Sequence, residues 1–280
     1  MAISAFIPEV WSADLLVTLE KSLVYGAAGV VNRNYEGEIS QFGDTVHITS
    51  LTDPTIGTYT AHTDITIEDV DDAAQTLLIN QAKYFAFEVD DIEKRQARGN
   101  VMPEQARKAA YKLRDVADQY IASVMAAGVD AGNLVAESTA TASNAYDKLV
   151  DLAVILDEDN VPTEGRFVVI TPKFHGLLLK DSRFIAAGDA AGSSVRANGM
   201  VGEAAGFSVR KSNNVPDGPG VGAGKLIIAG SDIATTYAEQ IASVEAGRLE
   251  KRFGDFVKGL HLYGTKVVRP TALAAADIIV

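Results

Sequence analysis

The chain has 280 residues, of which 47% are hydrophobic and 22% charged, with no cysteine and a formal charge of −12. That balance suits a folded protein with one large domain or two ordinary ones, and excludes disulfide stapling and thiolate metal sites. Thirty-seven acids against 25 bases also argue against a protein that grips nucleic acid, because phosphate binding needs surplus Lys and Arg to displace counterions.

The first residues, Met1 to Glu9, lack the basic start and apolar core of a signal peptide, and no apolar run reaches the roughly 20 residues needed to span a bilayer. Cytosolic synthesis is therefore expected. From Asn34 to Ala82 there is no Lys or Arg, while nine acids occur: Glu36, Glu38, Asp44, Asp53, Asp64, Glu68, Asp69, Asp71 and Asp72. The same stretch alternates like β-strands, in Thr45–Thr49 and Asp64–Glu68, and continues through Leu77–Ile79 and Phe85–Val89. A two-stranded ribbon is marginal alone in water, so it needs a partner surface in its own chain or in a neighbour.

A short helix is expected from Asp90 or Asp91, followed by a long one. Pro103 suits a first helical turn, and Ala106, Ala109, Ala110, Leu113, Val116, Ala117, Tyr120, Ile121, Val124 and Met125 form an apolar stripe. Gly128 is placed as a left-handed cap. This region opens with seven bases, Lys94, Arg95, Arg98, Arg107, Lys108, Lys112 and Arg114, against the single acid Glu104. Such blocks are either solvated faces or surfaces of opposite sign that meet across a subunit boundary.

After a polar connector over 137–144, a helix is predicted from Ala145 to Asp157, with Leu149, Leu152, Ala153 and Leu156 on one face. A buried strand follows at Arg166–Ile170. Thr171 and Pro172 then open a helix to Leu179. Residues 186–202 read as a glycine-rich loop, 207–210 and 226–229 as short strands, and 256–268 as one or two longer strands.

No segment carries recognisable active-site chemistry. Gly218 to Lys225 looks like a phosphate loop, but Pro219 and Leu226 break the pattern and a strand follows, so it is read as a hairpin connection. Asp157–Asn160 starts like a calcium loop, yet Pro162 and Val168 stand where glycine and glutamate belong. His47, His62, His175 and His261 never occur at metal-ligand spacing, and there is no nucleophile elbow. The expectation is a structural protein that binds copies of itself: not an enzyme, with no catalytic residues, no cofactor and no metal.

The chain resembles the tailed-phage major capsid proteins of the Hong Kong 97-type fold. The resemblance is carried by Val161–Pro172 with Leu177–Phe184, by Gly199–Val209 with Ser212–Pro216, and by Arg252–Gly259 with Gly264–Pro270. It implies a mixed α/β (α+β) shell subunit with an N-terminal arm (1–33), an extended β loop (34–86), a peripheral domain with a long spine helix (87–144 and 246–280) and an axial domain (145–245). It further implies pentamers and hexamers forming an icosahedral head around double-stranded DNA, held without specific binding. The subunit would be assembled in the host cytoplasm and located in the virion. A portal is implied, together with a separate scaffolding protein, since no long region precedes the arm, and a decoration protein that would help clamp the shell. Some relatives cross-link a loop lysine to a neighbour's asparagine; without lysine between Asn34 and Ala82, that nucleophile is missing here. The rival readings are an encapsulin-type compartment of the same fold, an α/β hydrolase, and an adhesin or tail component.

The charge blocks give self-binding an expected location. The acidic loop, through Glu36, Glu38, Asp64, Glu68, Asp69, Asp71 and Asp72, is expected across the basic band of a neighbour, Lys94, Arg95, Arg98, Arg107, Lys108 and Lys112. Ile48, Ile65, Ile67 and Phe85 would supply apolar burial.

Overall fold

The computed structural model describes residues 24–34, 45–51, 56–59, 61–62, 64, 72–90, 101–181, 202–249 and 253–280. Three sheets and three helices organise them. Strands β1 (Thr45–Leu51) and β2 (Asp72–Leu78) form an antiparallel ribbon. Strand β3 (Gln81–Asp90) pairs with β10 (Gly254–Val267), which pairs with β9 (Thr235–Arg248), giving an antiparallel three-stranded sheet. The expected divisions at 86/87 and 245/246 fall inside β3 and β9.

The third sheet has six strands in the order β4-β11-β8-β5-β7-β6. These are β4 (Leu134–Thr139), β5 (Arg166–Ile170), β6 (Glu203–Ala204), β7 (Phe207–Lys211), β8 (Lys225–Ser231) and β11 (Leu273–Ile279). Strand β5, Arg-Phe-Val-Val-Ile, is buried along its whole length, as its unbroken apolar run requires of a central strand. Helix α2 (Ala145–Glu158) buries Ala145, Leu149, Leu152 and Leu156 and packs on β11, with Ala153 half-buried. Helix α3 (Pro172–Lys180) starts as the sequence indicated: the Thr171 hydroxyl accepts from the Phe174 amide at 3.2 Å, with proline in the first turn.

Helix α1 (Val101–Gly128) has 28 residues and spans about 42 Å. It lies along β10 and β3. Its buried face keeps the expected stripe at Ala117, Ile121 and Met125 and departs from it at Val116, Asp115 and Asp118. Ala117, Ile121, Ala122 and Met125 are buried, together with Asp115 and Asp118, whereas Val116 is 41% exposed. Apolar periodicity placed Ala117, Ile121 and Met125 correctly but missed the two aspartates that share the seam, held by partners from distant segments. Gly128 is also not a left-handed cap, since it lies inside the helix and outside the positive-φ positions. Its role is close approach: a Cβ there would stand 2.4 Å from Val267 Cγ2 on β10.

Three further expectations need correction. Residues 137–139 of the polar connector belong to β4, which runs parallel to β11. Strands β9 and β11 were not expected, because Ala, Glu and Asp weaken β propensity; pairing with β10 makes β9 a strand, and burial between β4 and β8 makes β11 one. The ribbon does bury apolar surface in its own subunit: Ile48, Leu77 and Ile79 pack with Ala238 and Leu262. The short helix before α1, most of the 64–68 strand with Ile65 and Ile67, and residues 186–201 lie outside the described residues.

Candidate functional site

Of the residues expected to join copies, Arg107, Lys108 and Lys112 stand on the first half of α1. Arg107 and Lys112 are exposed and Lys108 half-buried, and Lys108 and Lys112 share a face at i,i+4 spacing. Asp64 is exposed, and Asp72 opens β2 opposite Leu51. Glu36, Glu38, Glu68, Asp69, Asp71, Lys94, Arg95 and Arg98 lie outside the described residues.

The structure adds an anchorage that the sequence did not reveal. Asp118 is 2% exposed, and its Oδ1 accepts from the amides of Val24, Tyr25 and Gly26 at 2.9, 2.7 and 3.2 Å. Asn214 donates through Nδ2 to Asp118 Oδ2 at 2.8 Å and to Asp115 Oδ1 at 3.0 Å. One helix turn thus ties the N-terminal segment to the loop after β7. Burial raises the Asp118 carboxyl above the ordinary aspartate value, and the bonds from Asn214 and the three amides oppose the rise. The neighbouring Tyr25 phenol is pushed up by its own burial and by the Asp118 charge.

Residues 32–33 are held a second time. Asn32 donates its amide to Thr235 O at 2.8 Å and accepts from the Tyr237 amide at 2.9 Å, extending the edge of β9. Arg33 pairs with Glu239 and lies over the Tyr237 ring, 5.5 Å from its centroid. Tyr237 donates to Glu239 Oε2 at 2.7 Å, and His261 Nε2 stands 3.1 Å from the same oxygen. Bonding to His261, joined by Tyr237 and the Arg33 charge, outweighs burial and holds the Glu239 carboxyl at about 2. Tyr263, packed against His261 and edge-on to Tyr120 of α1, is pushed up to about 12 by burial. A cleft of about 300 Å³ separates the two anchors, lined by Gly26, Arg33, Arg114, Asp118, Tyr237 and Glu239 among others.

The glycine-rich segment that resembled a phosphate loop binds carboxylates of its own chain. Gly220 donates to Asp277 Oδ2 at 2.8 Å, and Val221 and Gly222 donate to Glu137 at 3.1 and 2.7 Å. A Cβ at Gly218 would lie 2.0 Å from Asp277 Oδ1, and one at Gly222 2.1 Å from Glu137 Oε1. These glycines let backbone amides close on acids from β4 and β11. The signal available in the sequence was the Asp115–Asp118 pair inside an apolar helix face; Glu137 and Asp277 had none.

The described residues hold no group of three or more His, Cys, Asp or Glu that could take a metal ion, and no helix among them is long and apolar enough to cross a membrane. The geometry is that of a chain whose segments are cross-tied and whose described charged residues Asp64, Arg107 and Lys112 face outward.

Comparison with known proteins bears on that reading. A family model described as phage capsid protein matches residues 74–276. No curated protein sequence matches the chain. Among solved structures, one described as Mycobacterium phage Che8 is 32% identical over 98% of both chains, with a TM-score of 0.82. The capsid of Cyanophage P-SCSP1u is similar at 15% identity over 100% of this chain and 95% of that one, with a TM-score of 0.79. The capsid of Ralstonia phage GP4 follows at 14% identity over 99% and 97%, with a TM-score of 0.65. At those lower identities the likeness speaks for the fold alone.

Proposed function

The chain belongs to the phage capsid protein family and carries the Hong Kong 97-type fold, and on that premise we propose how its copies hold together. It is a structural subunit of a bacteriophage capsid shell, and the similar solved structures named above come from phages, which does not favour an encapsulin compartment. Our reading is that the acidic loop of one copy lies across the basic first half of α1 in the next. The observation that carries it is charge segregation: nine acids and no Lys or Arg over 34–82, against a basic band at Arg107, Lys108 and Lys112 in which Arg107 and Lys112 are exposed. Each exposed ion pair contributes only about 0–1 kcal/mol, so charge sets register and partner choice while apolar burial sets strength.

In this reading the subunit comprises an arm (1–33), an extended loop (34–86), a peripheral domain (87–144 with 246–280) and an axial domain (145–245). Its copies form pentamers and hexamers of an icosahedral head around DNA, assembled in the host cytoplasm. A separate scaffolding protein, a portal and a decoration protein complete the particle. The subunit works without catalysis, and its acidity keeps the shell from adhering to packaged DNA.

Replacing Arg107, Lys108 and Lys112 together by Glu is expected to abolish particle formation, seen by electron microscopy, while circular dichroism shows a folded subunit. Normal particles from that variant would overturn the charge reading. Tight, salt-sensitive DNA binding by the purified subunit would overturn the second part.

A further inference from the structure

In the cleft of about 300 Å³ between residues 24–34, α1 and β9, three of the four charged groups are already paired. Arg33 is held by Glu239, whose second oxygen takes Tyr237 and His261. Asp118, 2% exposed, has both oxygens engaged, one by three amides and the other by Asn214. Arg114 differs. It stands one turn before Asp118 on α1, lines the same cleft and is exposed, and among the described residues no hydrogen bond or ion pair engages it. The contact between copies argued above does not call on it.

In a chain of net charge −12, an arginine in a concave site is not left open for want of acids. The Arg33–Glu239 pair is neutral by itself, and the Asp118 carboxylate is met by amides and Asn214, so the open charge of the cleft is the Arg114 guanidinium. That group is a planar fork of donors, matched in shape to the two oxygens of a carboxylate or phosphate. Ala27, Ala117 and Ile121 also line the cleft, which joins an apolar wall to the open guanidinium. A concave, partly apolar site with a few placed polar groups is the usual form of a small-ligand site, and this volume suits a compact ligand.

We propose that this cleft binds a small organic oxyanion, a carboxylate or phosphate head on a compact apolar body. Arg114 takes the head, and Ala27, Ala117 and Ile121 take the body. Such a ligand touches α1 and the 24–34 segment at once, so its binding holds that segment on the helix. The site lies within a single copy and is independent of the contact between copies.

Benzoate and phenyl phosphate are titrated into the purified subunit by calorimetry, with ionic strength held constant by chloride. Each should bind saturably at a single site per subunit, at millimolar concentration or below, and the tighter of the two names the head. Arg114→Gln should weaken binding about tenfold or more. Arg114→Lys should weaken it less, because the charge stays and the fork is lost. Lys173→Gln, which removes an exposed base on α3, should leave binding unchanged. Ala27→Leu fills the cleft without touching a charge and should also abolish binding, which covers the case in which the Arg114 variants do not fold. In the wild-type subunit either ligand should slow hydrogen exchange several-fold at the amides of Val24, Tyr25 and Gly26, and in Arg114→Gln it should not. The proposal is overturned by the absence of saturable binding, by unchanged binding in Arg114→Gln or Ala27→Leu, or by an equal loss in Lys173→Gln. Binding without protection at 24–26 overturns it as well. So does inorganic phosphate binding as tightly as phenyl phosphate, since the apolar wall would then play no part.

Discussion

Two carboxylates hold the segment at 24–34, and they do so by opposite physics. Asp118 is bonded by three successive backbone amides and by Asn214, in a site so buried that its proton is held more tightly than usual. Glu239 is bonded by His261, Tyr237 and Arg33 in a half-exposed site, and its proton is held far more weakly. Amides offer dipoles that only partly replace water, whereas a guanidinium supplies charge. The first anchor therefore gives geometry, fixing three consecutive residues against α1. The second gives electrostatic strength that depends on pH.

Asp118→Ala separates the two most sharply. It leaves three buried amides and Asn214 without their acceptor, and is expected to destabilise the subunit by about 3 kcal/mol or more in chemical unfolding. A loss below about 1 kcal/mol would mean that water replaces the carboxylate. Glu239→Gln should cost less, about 2 kcal/mol at neutral pH, when the shift from 4.5 to about 2 is discounted for partial exposure. Arg33→Ala removes one partner of Glu239 and the contact over Tyr237, and should cost about 1 kcal/mol. If it matches Asp118→Ala, the second anchor is the dominant one and the contrast fails.

The smallest effect is the most diagnostic. The Glu239 carboxyl is depressed in the fold, so its stabilisation is present above its unfolded value near 4.5 and fades as pH falls from there toward 2. The Asp118 carboxyl is raised, so its contribution runs the other way: it is present below the unfolded value near 3.8 and lost as pH rises through the folded one. Unfolding measured between pH 3 and 6 should thus show acid loss made shallower by Glu239→Gln and steeper by Asp118→Asn, by a few tenths of a kcal/mol per pH unit. Identical slopes in the two variants would show that neither carboxyl titrates differently in the folded state.

Legibility in the sequence followed how local the determining forces were. Strand β5, the Thr171 cap and the core face of α2 were readable because four apolar residues, one hydroxyl before a proline, and leucines at 149, 152 and 156 act within a few residues. The basic band at 107–112 was readable as composition. The anchors were not, because Asp118 meets residues 24–26 and 214, and Glu239 meets residues 33 and 261, across 92 or more positions in every one of those contacts but His261. A periodicity count treats such aspartates as errors in a stripe.

The glycine-rich segment shows the same division. The sequence excluded a phosphate site there, since Pro219 and Leu226 break the pattern, but it could not say what the amides bind. Only the sheet, which sets β4 beside β11, brings Glu137 and Asp277 onto those amides. By itself, then, the sequence determined the helices and the central strand β5, the order that resembles a capsid subunit and the separation of charge along the chain. Those depend on side-chain preference and spacing over a few turns. The tertiary structure decided which acids are buried, why Gly128 sits close against Val267, and which apolar residues are left outward, because each of these depends on atoms brought together from distant parts of the chain.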